Sequence, residues 1–432
     1  MKRPLMQLAA AAVALSVALT GCGGGGGDKG DKGGSSGPLR VTLANHVWTE
    51  SIKKAIPEFE SQTGIKVEIT QLGEDQLSDQ YNVKLNAGSK DLDVMMYRPL
   101  QEGKNFATNK WLADLSNDVT KNADWDWADF QEGPVDATSF KGKVVGVPII
   151  TEREVLYYRK DLLEKSGYTA PPKTLDEMKE MALKIKADNP GTAGFVARTS
   201  RTAAVTMFSS YLYSYGGDFD KDGKATLDNP EALQAYEMYT SLIREAGPAN
   251  VSTDMAWPDS MAIFQQGGAA FLTEADSLYR NATDPAKSKV SDKVGFAPFP
   301  EGPAGRHSFN IPSWALGIND ASHNKENAFK FIEWATSKEM TLKLQQEGNP
   351  SARKSIWANA EATKNDPKDL VEASKGSAQG GIGHDRPQVI KVPQAREIVG
   401  APIVDGIAGK DVAESLKNAQ KLYQDFLDGE KK

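Results

Sequence analysis

Cysteine is almost missing: the 432 residues contain one, Cys22. With no second cysteine, the chain can form no internal disulfide and no cysteine-based metal site. Histidine is scarce as well. His46, His307, His323 and His384 are scattered and never fall at metal-ligand spacing. HExxH does not occur, and GxSxG occurs only inside the glycine-rich run, as Gly33-Gly34-Ser35-Ser36-Gly37 with no strand before it, so neither common hydrolase signature is supported. Positive charge is not in excess, since the formal charge is −7. An acidic surface lacks the electrostatic footprint of a nucleic-acid binder. A long apolar run is also missing. Leu8 to Leu19 is the candidate, and it falls short of the roughly 20 residues that span a bilayer.

That short run follows Lys2 and Arg3, the layout of a signal peptide over residues 1–21. It ends in Leu19-Thr20-Gly21-Cys22, which looks like a bacterial lipobox with lipid expected on Cys22. An ordinary secretion signal with an incidental cysteine is the alternative. Removing Lys2 and Arg3 takes the formal charge from −7 to about −9. Residues 22–37 then form a glycine-rich tether that buries nothing and spans on the order of 20 Å. A phosphate-cradling loop is a poor alternative, because no strand precedes it and no Gly-Lys-Ser/Thr closes it. About 395 residues remain, more than one hydrophobic core usually organises, so two domains are expected.

Leu39, Val41 and Leu43 alternate like a strand, and Ile52, Ile56 and Phe59 follow a helical period ended by Gly64. Ile65 to Ile69 and Leu92 to Met96 supply further strands, with a helix around Leu77 to Leu85 between them. Strand–helix alternation predicts a parallel α/β sheet, whose ligands sit beyond the strand C-termini. That rule selects Asn45, His46 and Trp48 after the first strand, and Tyr97 and Arg98 after the third. Packing is the alternative for Trp48 and Tyr97.

The stretch from Lys141 to Met181 carries the most information. Val144 to Ile150 is an apolar run broken by Gly146 and Pro148, and Val155 to Tyr158 is a second one. Thr151 to Glu154 is a polar strip between them, where the chain crosses from one sheet to another. Ligand pockets favour such interfaces. Alternation sends Glu152 and Glu154 to one side and Arg153 to the other. Glu152 and Arg153 are candidate ligand contacts, Glu152 because a carboxylate accepts two hydroxyl hydrogen bonds and a nearby arginine keeps it ionised. A structural salt bridge is the other explanation. Thr174 and Glu177 form a capping box before a helix burying Leu175, Met178, Met181, Ala182 and Ile185.

Further along, Arg201 in the ARTSR loop is a weaker candidate. Asp218, Asp220, Asp222 and Gly223 imitate a calcium loop, but Asn229 stands where the bidentate glutamate belongs, so a polar hairpin turn is the simpler reading. The strand Ala269–Leu272 delivers Glu274 and Asp276 to its end. Val294 to Phe299 reads as a second crossing, and Gly348 to Ser351 as a third. Trp257, Trp314 and Arg386 are candidates for the rim, with packing as the alternative for both tryptophans. Lys325 to Gln346 reads as one long helix, and the tail as two helical patterns around Pro402.

The order and spacing of several pieces resemble the extracellular solute-binding proteins of ABC importers, in the carbohydrate-binding family that includes maltose-binding protein. The pieces are NHVWTESIKKAIPEFESQTGIKV, DLDVMMY, GVPIITEREVLYYRKDLLEKSG with PPKTLDEM, FQQGGAAFLTEADS and NKENAFKFIEWATSKE. The resemblance implies a two-lobed type II binding-protein fold, each lobe a central sheet flanked by helices. The expected lobes are 38–149 with 299–348, and 150–298 with 349–432. It implies that Tyr97 stacks on a sugar and that the Glu274–Asp276 loop faces ligand. Maltodextrin-binding relatives carry a tryptophan just beyond that loop, where this chain has Asp276-Ser277-Leu278. The ligand is therefore expected to be smaller or more polar, with Trp257 as a substitute ring. The implied protein is a monomer without cofactor or metal, membrane-tethered only by lipid, which hands a carbohydrate to an ABC permease. A secreted glycoside hydrolase with two carboxylates is the competing class.

Overall fold

The computed structural model describes residues 37–430. The signal-peptide and lipid-anchor expectations, including Cys22, lie outside them. Eight strands make the main sheet system: β1 (Leu39–Ala44), β2 (Val67–Leu72), β3 (Val94–Tyr97), β4 (Val147–Arg159), β5 (Ala193–Val196), β6 (Ala269–Ala275), β7 (Val294–Pro298) and β8 (Asn310–Ile318). The order is β2-β1-β3-β8-β4-β6-β5, with β7 also paired to β4. β1, β2 and β3 run parallel, as the strand–helix alternation predicts. Both β8 contacts, to β3 and to β4, are antiparallel.

β4 organises the whole arrangement. The sequence suggests two strands separated by a polar strip, yet β4 is one unbroken strand of 13 residues. Its first half pairs with β8, and its second half is flanked by β6 and β7. The apolar side chains divide at the same place. Val147, Ile149 and Ile150 join a core built on β1–β3 and the helix Val47–Thr63. Leu156 joins a second core, while its neighbours Val155 and Tyr157 point through the sheet into a third. The polar strip survives as strand because both edges supply ladder partners. Arg153 pairs with Asn310 on one side, and Glu154 with Ala275 on the other.

The return crossing differs from the sequence reading. Val294–Pro298 stays paired with the second half of β4, and Phe299 and Phe309 pack in the second core. The chain crosses back inside β8 instead. Ile311 belongs to the second core and Trp314 to the first, with register shifts between Pro312 and Ala315. A bulge re-aims side chains at such a point. Lys325–Gln346 is likewise two helices, because Ser337 caps a new one through its bond to the Met340 N–H.

The helix Val392–Ile407 continues through Pro402, and the break falls later, at Gly409. Gly400 lets it lie on the loop after β5. A Cβ there would sit 1.7 Å from the Arg201 carbonyl oxygen, a backbone atom that cannot swing aside. Gly400→Ala should therefore cost about 1–3 kcal/mol, read as a lower urea midpoint with an unchanged slope.

Candidate functional site

The side chains that meet where β4 crosses come from several strands and strand ends around it. His46 caps the helix Val47–Thr63, with Nδ1 accepting from the Trp48 N–H at 3.1 Å. This leaves Nε2 facing Glu152, 3.8 Å from its Oε1. The same carboxylate oxygen accepts from the Ser277 hydroxyl at 2.5 Å, so Glu152 joins the two sides. The Trp314 ring lies 6.0 Å from the His46 ring, and the Arg98 guanidinium stands 5.8 Å from the Trp314 centroid.

Arg98 is held by Glu74 at 2.9 Å, by Glu102 at 2.5 Å and by the Ser78 hydroxyl at 2.7 Å. Opposite it, Arg198 donates two bonds to Glu274, at 2.9 and 2.5 Å. Burial works against the charge of Glu74. Arg98, Arg198, His46 and Arg386 outweigh it, and the carboxyl is held below its ordinary range. Charges from both halves of β4 therefore act on one carboxylate. Arg198 in turn faces Glu274, Glu74 and Glu152, which overcome the burial penalty and keep it charged.

Gln101 adds a direct bridge. Its Oε1 accepts from Arg386 at 2.7 Å and from Arg396 at 2.9 Å. Both arginines are nearly buried, and Asp385 takes two bonds from Arg386. Arg386 thus spends its donors on Asp385, Gln101 and Thr206, where the sequence suggests a ligand contact.

The remaining sequence candidates divide clearly. His46, Arg98, Glu152, Glu274 and Trp314 come together, and Asn45 stands exposed at the end of β1 beside them in sequence. Tyr97 is displaced from its expected role: it is fully buried in the first core against Phe106, and its hydroxyl has no partner. Gly146 makes room for it, since a Cβ there would fall 2.2 Å from the hydroxyl. Trp48 is also core, at 1% exposed. Trp257 packs part-buried against the third core. Arg201 points outward to Glu397 at 3.7 Å.

Arg153 and Asp276, both expected to reach ligand, are instead bound to each other. The Arg153 Nη1–Asp276 Oδ2 distance is 2.9 Å, both groups are buried, and the guanidinium lies 4.3 Å from the Trp357 ring. The stretch Asp218–Gly223 is a hairpin turn with Asp222 and Gly223 at φ 53° and 71°, and its Asp220 is taken by the Tyr423 hydroxyl. Among the described residues no cluster of three or more His, Cys, Asp or Glu is placed to hold a metal ion.

The sequence reading missed Glu74, Gln101, Arg198, Ser277, Asp385 and Arg396. Glu74 and Gln101 follow the ends of β2 and β3, so the strand-end rule reaches them. Arg198 lies in the same ARTSR loop as Arg201. Arg396 sits inside a helix and carries no local signal. A broad depression of about 1000 Å³ lies elsewhere, between the helices Leu175–Asp188 and Pro230–Ser241, and none of the seam residues line it.

Comparison with known proteins agrees with this architecture. The profile of the bacterial extracellular solute-binding proteins matches residues 45–341. A probable ABC transporter-binding protein of Deinococcus radiodurans is 32% identical over 296 residues, 66% of this chain and 69% of its own. The erythritol/L-threitol-binding protein of Mycolicibacterium smegmatis is 26% identical over 333 residues, covering 73% of this chain and 69% of its own. The maltose-bound MalE3 of T. maritima superposes with a TM-score of 0.80 at 31% identity, over 90% of this chain and all of its own. With a central crossing strand, flanking helices and a polar seam, the chain belongs to the bacterial extracellular solute-binding protein family.

Proposed function

We propose that the protein is the extracytoplasmic receptor of an ABC importer, that it takes a sugar or sugar alcohol into the seam at β4, and that it releases this ligand unaltered to a membrane permease. The observation that carries the reading is the run of contacts from Glu74 to Arg98, Arg98 to Trp314, Trp314 to His46 and His46 to Glu152, which the Ser277 hydroxyl ties to the other half of the sheet system. Carboxylates and guanidinium groups are dense hydrogen-bonding partners for vicinal hydroxyls. Trp314 stands at this place as well, but at 4% exposed it offers C–H groups no more than a ring edge. With Tyr97 and Trp48 in the core, little stacking surface remains. This favours a linear polyol or single sugar ring over an oligosaccharide. The relative that binds erythritol and L-threitol supports the same class.

The proposed lobes meet along β4 at Thr151–Arg153 and along β8 at Pro312–Trp314. The second site moves the return crossing from the expected residue 299. Hinge rotation there opens and closes the seam. Ligand drives closure only by binding the closed form more tightly. The Gln101 bridge to Arg386 and Arg396 already favours that form without ligand. Lipid on Cys22 completes the reading as a tether of the receptor to the membrane.

Titration calorimetry against four- to six-carbon alditols, monosaccharides and maltose tests this, with the solute analysed afterwards. An alditol or monosaccharide should bind, tighter than maltose, and be recovered intact. Released product, or no isotherm with any of them, overturns the reading. Glu152→Gln removes one charged acceptor at the seam. It should weaken the best ligand by about 1.5–3 kcal/mol, a factor of roughly 10 to 150, with folding intact.

A further inference from the structure

Two residues beyond Glu152 on the same face of β4 stands a second carboxyl, Glu154, that the site as described does not use. It is fully buried, and neither of its oxygens has a hydrogen-bond partner of good geometry. The helices Ala203–Ser214 and Pro230–Ser241, β6 and the loop after β5 contribute facing groups. Ser210 and Thr273 present hydroxyls from the helix Ala203–Ser214 and from β6. Tyr211 lies on that helix, and its own hydroxyl meets Thr273 at 3.3 Å. Tyr239 faces it from the helix Pro230–Ser241. The charged groups are Glu274 of β6 and Arg198 of the loop after β5. Arg198 is already committed to Glu274 through two bonds, so no cation is left for Glu154.

An ionised carboxylate in this position would lie unpaired in the core and next to another anion, which is among the costliest arrangements a fold can hold. The Ser210 and Thr273 hydroxyls, as donors, favour the charged form, but burial and the neighbouring Glu274 act against it, and a carboxylic acid in the same place has an O–H of its own to donate to the Thr273 oxygen. We propose that Glu154 is folded as a neutral acid and acts as a positioning residue, filling the space behind the Arg198–Glu274 pair without competing for the guanidinium. Burial pushes its carboxyl well above the ordinary range, in the direction this requires. Loss of the proton would set two carboxylates against one arginine and draw Arg198 away from the seam. Ligand affinity is thereby tied to retention of that proton. The positioning role rests on reading the seam as the ligand site; the protonation state does not.

The experiment has two arms. The first needs no ligand. The unfolded chain loses this proton near pH 4.3 and the folded chain keeps it, so folding stability from Glu154 is full below that pH and is lost as pH rises toward the folded value, up to about tenfold in the unfolding constant per pH unit. Glu154→Gln cannot titrate. Its stability relative to the unmutated protein should therefore rise with pH above about 4.3. A constant difference, or a variant that falls behind as pH rises, overturns the neutral acid. Should the variant not fold, ¹³C-glutamate labelling of the unmutated protein decides instead. One side-chain carboxyl resonance should stay at its protonated position above about pH 6, and its absence overturns the proposal. The second arm measures affinity for the best alditol. The unmutated protein should weaken toward alkaline pH, while Glu154→Gln binds equally well at neutral pH and shows a flat profile. Parallel pH profiles for the two overturn the positioning role.

Discussion

Replacing Asp276 with alanine should destabilise the folded protein by about 3–5 kcal/mol, the cost of leaving one member of a buried ion pair behind. Asp276 accepts from both the side chain and the backbone N–H of Arg153, at 2.9 and 3.1 Å. It thereby fastens the crossing strand β4 to the turn after β6. With the carboxylate gone, Arg153 keeps only the Thr151 hydroxyl at 2.7 Å and the Trp357 ring, neither of which neutralises it. Urea unfolding at neutral pH measures the loss. The Arg153→Met, Asp276→Ala double variant should recover a large part of it, because no charge is then stranded. A loss below about 1 kcal/mol for the single variant would assign the pair to the weak class typical of exposed surfaces.

Glu274→Ala should have the largest effect on binding. Glu274 is fully buried, takes both bonds from Arg198 and accepts from the Ala275 N–H. Its removal frees Arg198 to turn toward Glu74 and Glu152, which already act on it. The seam then loses a shaped acceptor and gains a misplaced cation. Truncating one partner of a buried, hydrogen-bonded charge pair costs about 2–5 kcal/mol, so the best alditol should bind at least roughly 30-fold more weakly. Calorimetry on Glu274→Ala, with circular dichroism to confirm folding, measures it. Glu274→Gln keeps one acceptor and should fall between the two. Affinity equal to that of the unmutated protein would remove the Arg198–Glu274 pair from the site.

These two residues also show how far a sequence can be read. Asp276 and Glu274 lie two apart at the end of one strand, and both look like ligand contacts for the same reason. Their fates differ because Arg153 comes from the far face of β4 to meet Asp276, while Arg198 comes from another loop to meet Glu274. The position of Glu152 at the crossing is legible because strand alternation is local and its polar neighbours mark the place. That of Tyr97 is not. All four residues of β3 are buried, so the apolar run carried no alternation to say which face its last residue would take. The glycine that accommodates it, Gly146, lies 49 positions away along the chain.

From the sequence alone come the strands and helices of the first half, the capping box at Thr174, the crossing at Thr151–Glu154 and the family resemblance. Each rests on residues a few positions apart, whose periodicity and turn chemistry act through the adjoining backbone. Tertiary structure alone decided that β4 is continuous, that the chain returns through β8, and that Gln101 meets Arg396 across 295 positions. Which charge pairs with which depends on distances of 3 or 4 Å between elements brought together by packing, and a linear pattern carries no record of those distances.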